Sequence, residues 1–171
     1  MRWLASSFVL AGLVVVGCAS RSAGTNVNLA IVERQFFEQC PFCVAQPSLT
    51  LVKDQLKWRQ MLASARTSPP PFDAIATTFD TKSVLILATR ATATPTTRLW
   101  AGDDAFTLNP DTRDLQLGID VREQKPAAGE AIVAVVGMPC LVIWTSRVIA
   151  ARRIEARDAA TGELLADVRE P

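Results

Sequence analysis

The sequence predicts an α+β, β-rich fold: an antiparallel sheet or sandwich of about seven to nine strands with one packed helix. Two patterns carry this expectation. Short apolar or alternating runs, separated by Gly, Pro, Asn and Asp, recur from residue 29 to the C-terminus. Against them, a single stretch after Asp54 has its apolar residues at helical spacing.

Taken in order, residues 29–37 and 48–52 read as two strands flanking Cys40-Pro41-Phe42-Cys43. Asp54 then offers a side-chain acceptor for the first free backbone N–H groups of a helix. Trp58, Met61, Leu62 and Ala65 fall at the i, i+3, i+4, i+7 positions of one buried face. Thr67-Ser68-Pro69-Pro70-Pro71 ends that helix, because proline lacks the donor and restrains its predecessor. Val84–Ala88 is continuously apolar, as in a central strand covered on both faces. Leu115, Leu117, Ile119 and Val121 instead alternate with polar residues or glycine, which predicts one wet face. Two more apolar runs, 131–136 and 140–144, are separated by Gly137-Met138-Pro139. The tail from Val148 to Val168 pivots on Ala160-Thr161-Gly162 and reads as a hairpin.

Composition bounds the function. Of 171 residues, 49% are hydrophobic and 20% charged, a balance that sustains a packed core. No second core is separated by a linker, so residues 27–171 are expected to form a single domain. Lys and Arg total 18 against 17 acids. Neither a nucleic-acid surface nor a polybasic lipid patch is favoured by such a balance. The chain has no histidine, which removes Ser/His/Asp and Cys/His nucleophile activation and any His-ligated metal site. A non-enzymatic role is therefore favoured, with no cofactor and no metal site expected.

The N-terminus carries the most specific motif. Arg2 precedes an apolar stretch, Phe8–Val16, that is too short for the roughly 20 residues a helix needs to span a bilayer. Val15-Val16-Gly17-Cys18 resembles the lipobox of bacterial lipoproteins. The resemblance implies that residues 1–17 are a cleaved signal and that Cys18 becomes a lipid-modified N-terminus. One acyl chain binds a membrane only marginally, at ~0.8 kcal/mol per buried methylene, whereas the several chains implied here would anchor it effectively permanently. Residue 19 is Ala rather than the Asp associated with inner-membrane retention, which points to the periplasmic leaflet of the outer membrane. Residues 18–26 would be a flexible tether of small and polar residues.

A second resemblance covers roughly residues 48–146. It rests on Val52-Lys53-Asp54-Gln55-Leu56-Lys57-Trp58, Phe72-Asp73, Phe79–Ala88, Val121–Pro126 and Met138–Ile143. This order is similar to the PrcB-type domain of protease-complex subunits. Where that family commonly has a Thr-Gly-Gly-Tyr-like turn, this chain has Thr92-Ala93-Thr94-Pro95-Thr96-Thr97. The resemblance implies an accessory protein-binding lipoprotein with an envelope partner, and it supplies no catalytic residue.

With Cys18 lipidated, Cys40, Cys43 and Cys140 would remain in an oxidising compartment, where thiols tend to pair. A structural disulfide or simple packing is the leading expectation, and spacing leaves Cys40–Cys43 and Cys43–Cys140 both open. Cys40-Pro41-Phe42-Cys43 also looks like the motif of thioredoxin-like oxidoreductases, and Val136-Gly137-Met138-Pro139 like the proline loop facing it. Such chemistry needs a helix N-terminus at the first thiolate. The segment after Cys43 instead reads as turn and strand. A tethered thiol–disulfide oxidoreductase and a lipoprotein binding Cu(I) through Cys40 and Cys43 are the rival readings. Asp103, Asp104, Asp111 and Asp114 are expected to be solvated turn residues rather than calcium ligands. Arg152, Arg153 and Arg157 are expected on the exposed face of the last hairpin, and Trp58, Trp100 and Trp144 in the core.

Overall fold

A computed structural model describes residues 25–26, 29–42, 44–65, 79–90, 97–109, 111–123, 137–146 and 151–169. The expected signal segment, Cys18, Cys43, Phe72-Asp73, the 92–96 turn and the 131–136 strand lie outside the described residues. Among those described, no helix is long and apolar enough to cross a membrane.

The architecture is a two-sheet sandwich with a helix on its outer side. Strands β2 (Ile31–Phe37), β8 (Cys140–Ser146), β4 (Lys82–Ala88) and β3 (Ser48–Val52) form a four-stranded antiparallel sheet in that spatial order. The second sheet runs β1 (Thr25–Asn26), β6 (Phe106–Leu108), β7 (Leu115–Glu123), β9 (Arg153–Asp158), β10 (Leu164–Arg169), and β5 (Thr97–Trp100) pairs with β7. All pairings are antiparallel except β7 with β9. That parallel pair arises because the chain leaves β7, passes through β8 in the opposite sheet and returns beside its starting strand. The expected tether ends inside this framework: Thr25 and Asn26 pair with Leu108 and Thr107.

The burial pattern explains the two kinds of apolar run. Alternate residues of a strand point to opposite faces. Leu85 and Leu87 of β4, with Leu141 and Ile143 of β8, face the second sheet and meet Leu99, Leu115, Leu117, Ile119 and Ile154. The intervening Val84, Ile86, Ala88, Cys140, Val142 and Trp144 face the other way, against Cys40, Phe42, Trp58 and Phe79. β4 and β8 therefore have no wet face, whereas Gln116 and Gly118 of β7 are only partly buried.

Helix α1 (Gln55–Ala63) supplies the outer cover. Asp54 caps it, its carboxylate accepting from the Lys57 N–H at 2.7 Å. Lys57 reaches back to donate to the Leu51 carbonyl at 3.0 Å, tying the first turn to the end of β3. Ser64 closes the C-terminus through its N–H to the Gln60 carbonyl at 3.1 Å. Trp58 is the buried residue of the helix, with Met61 and Leu62 partly buried beside it. Ala65 falls beyond the last turn. Trp58 packs on Phe42 at 5.8 Å between ring centroids and edge-on to Trp144 at 6.2 Å, arrangements each worth about 0.5–1.5 kcal/mol beyond their buried area.

The final hairpin also forms as expected. The Asp158 carboxylate accepts from the N–H groups of Ala160 and Thr161, and Gly162 takes a φ of 75° that a side chain would resist.

Trp58→Ala is expected to destabilise the protein by about 3–5 kcal/mol in chemical unfolding. Leu56→Ala, on the exposed side of the same helix, should change stability by no more than about 0.5 kcal/mol.

Candidate functional site

Two groups of side chains stand out from the packed framework. One is on the surface where an edge of each sheet comes together, and the other lies under the helix layer.

On the surface, β2 is the outer strand of its sheet and β5 flanks β7 in the other. Trp100, the last residue of β5, remains 46% exposed. The Arg34 guanidinium lies over its ring, 4.2 Å from the centroid. Arg34 also donates to the Ala101 carbonyl and to the Asp103 carboxylate, the latter at 2.6 Å. One side chain from β2 is thus held by three consecutive features of the opposite sheet. Its own exposure is only 20%, against 83% for Asp103. Val32, two residues earlier on β2, is exposed as well. The result is a half-exposed indole on a cationic support, with a carboxylate held by the same arginine. Such a surface suits protein contact, where an aromatic anchor with few rotamers loses little entropy on docking.

This corrects the expectation that Trp100 belongs to the core; Trp58 and Trp144 do. Position 100 ends its strand with its side chain on the outward side, a direction that the apolar content of Leu99-Trp100-Ala101 did not reveal. Asp103 is accounted for by Arg34. Among the described residues no group of three or more His, Cys, Asp or Glu is placed to hold a metal.

The arginines of the last hairpin are likewise less free than expected. Arg152 is exposed, but Arg153 and Arg157 grip Glu155 from either side at 2.7 and 2.8 Å. Arg153 also binds Asp167 at 2.8 Å. Glu155 is buried, so its charge is compensated by a fork of two cations rather than by water.

The second group is a pair of thiols. β2 pairs Phe37 with Cys140, and beyond it Gln39 bridges to Met138 in parallel fashion. The Cys40 N–H then donates to the Met138 carbonyl at 2.7 Å. This brings Cys40 to the start of β8, into the same buried apolar cluster as Cys140. Both are buried and neither is in a disulfide. The pair is electrically asymmetric. Cys140 as donor, and then the Phe42 N–H, hold the Cys40 thiol below the ordinary cysteine range despite burial. The same hydrogen bond and burial push Cys140 strongly upward.

Spacing leaves Cys40–Cys43 and Cys43–Cys140 open; among the described residues the structure brings Cys40 and Cys140 into one buried cluster. No local pattern announces it, because it depends on β2 and β8 being neighbours across about a hundred residues. Residues 44–47 are irregular and lead into β3, so among the described residues no helix follows Phe42 directly.

No family model, curated protein or solved structure matches the chain.

In reduced protein, Cys40 and Cys140 should resist iodoacetamide in the folded state and react once the chain is unfolded, as fragment mass spectrometry would show.

Proposed function

We propose that the chain is a lipid-anchored envelope protein whose β-sandwich binds a protein partner and performs no chemistry of its own. The observation that carries the binding role is Trp100, half exposed and immobilised by Arg34 at the adjoining sheet edges. The lipobox-like Val15-Val16-Gly17-Cys18 supports the anchor. Ala19 supports the outer membrane, periplasmic face, as the location. The similarity of residues 48–146 to the PrcB-type domain suggests a protease complex as the partner's class. A histidine-free sequence supports an accessory role rather than a hydrolytic one.

Crosslinking in intact cells should recover an envelope protease with the lipidated chain. Trp100→Ala should weaken that association about thirtyfold, the effect of a hot-spot truncation near 2 kcal/mol, without unfolding the domain. A crosslinking pattern indifferent to the substitution would refute the assignment of this surface. Cys18→Ser should leave the protein unacylated and release it from the membrane fraction; retention with an unmodified N-terminus would refute the anchor.

The rival oxidoreductase reading would draw on Cys40 and Cys140, two free cysteines in one buried cluster. Burial of both Cys40 and Cys140 opposes turnover on large substrates, since exchange needs in-line access to the attacking sulfur. Purified protein should accordingly give no insulin reduction above the dithiothreitol background. Turnover abolished by Cys40→Ser would establish the enzymatic reading instead.

A further inference from the structure

We infer that Cys40 and Cys140 are a disulfide-forming pair that locks the loop after β2 onto the outer face of the four-stranded sheet. The placement is set by the backbone. The Phe37 to Cys140 register, the Gln39 to Met138 bridge and the Cys40 N–H to Met138 carbonyl bond hold the two residues together from both sides. Cys40 and Cys140 are both buried in the apolar layer that includes Phe42, Trp58, Val142 and Trp144. The bridge would therefore link two backbone segments already held side by side. It would fasten the segment carrying Phe42, which is the ring packed on Trp58.

The oxidant is a small-molecule or protein disulfide. The Cys40 thiolate attacks one of its sulfurs, the S–S bond breaks, and the first thiolate leaves and takes a proton from solvent. Cys140 then loses its proton to solvent base and attacks Cys40 Sγ, expelling the second thiol. Two protein S–H groups become one S–S bond, and the oxidant's S–S becomes two thiols. Because Cys40 is only 6% exposed, the exchange belongs to the stage at which the loop has not yet closed over the helix layer. That stage is met during folding in an oxidising compartment, the one point at which the inference leans on export.

The bridge joins residues about a hundred positions apart, so it constrains the unfolded chain far more than a bridge within Cys40-Pro41-Phe42-Cys43 would. The test is to denature and reduce the full chain and refold it in a glutathione/glutathione-disulfide buffer, then trap the remaining free thiols with an alkylating agent in denaturant. Trypsin leaves Cys40 and Cys43 together on peptide 35–53 and Cys140 on peptide 123–147. The expected product is a covalent dimer of these two peptides that persists in Cys43→Ser and disappears in Cys40→Ser. Fragmentation of the wild-type dimer locates the sulfur without any variant. Reducing the folded product should lower its unfolding midpoint by about 10 °C. A bridge confined to peptide 35–53, a dimer linked through Cys43, or complete alkylation of Cys40 and Cys140 after refolding would each overturn the inference. Because the refolding is done in vitro, these outcomes are independent of where the protein resides, whereas fractionation of Cys18→Ser tests only the location.

Discussion

Strands β4 and β8 have no solvent face, and most of the remaining structure follows from that constraint. A strand buried on both sides needs a cover on each, and one sheet can supply only one of them. On the inner side the second sheet provides leucines and isoleucines from β5, β7 and β9. On the outer side the cover is assembled from helix α1, Phe79 and the Cys40–Phe42 segment. The outer layer is thin, with nine helical residues and one fully enclosed helical side chain, Trp58. Its stability therefore depends on the aromatic contacts among Phe42, Trp58 and Trp144, and on whatever holds the Cys40–Phe42 segment in place. Cys40 and Cys140 both lie in that layer.

The fold was legible in the sequence to the extent that the residues were locally decisive. The continuous run Val84–Ala88 and the alternating run Leu115–Ile119 distinguish a doubly covered strand from a half-wet one by period alone, and both occupy those environments. Asp54 before a helix with Trp58 on its buried side is a local signal as well, and its capping bond forms at 2.7 Å. The hairpin about Gly162 needs only residues within a few positions of each other. Legibility ended where a relation crossed the chain. The parallel pairing of β7 with β9 depends on β8 going to the other sheet, which no short window encodes. The approach of Cys40 to Cys140 depends on the same strand lying beside β2.

Charge was read less well than hydrophobicity, for a related reason. Arg34, Arg153 and Arg157 carry no local sign that each will be held in place. Arg34 becomes the support for Trp100 only because β2 and β5 adjoin at the corner of the sandwich. Arg153 and Arg157 alternate with Glu155 along β9, so all three project from one face of the strand; the pattern was visible, but the burial of Glu155 was not. In both places an arginine fork replaces water around a carboxylate or a carbonyl. The surface is thereby more rigid than its residue types imply, and a rigid surface is what a recognition site built on one indole requires.

The position of that surface relative to the proposed anchor limits what it can meet. Thr25 pairs with Leu108, so the chain joins the domain at the β1–β6 edge. From Cys18 to Thr25 there are seven residue steps, and an extended chain advances at most ~3.6 Å per residue. If Cys18 carries the lipid, the attachment edge cannot lie more than about 25 Å from the membrane surface. β6 follows β5 directly, and only Ala101–Ala105 separate it from Trp100. On the proposal that Cys18 is lipidated, the Trp100–Arg34 corner follows the strand that receives the tether, so a partner that binds it has to come within reach of a domain held by that short segment.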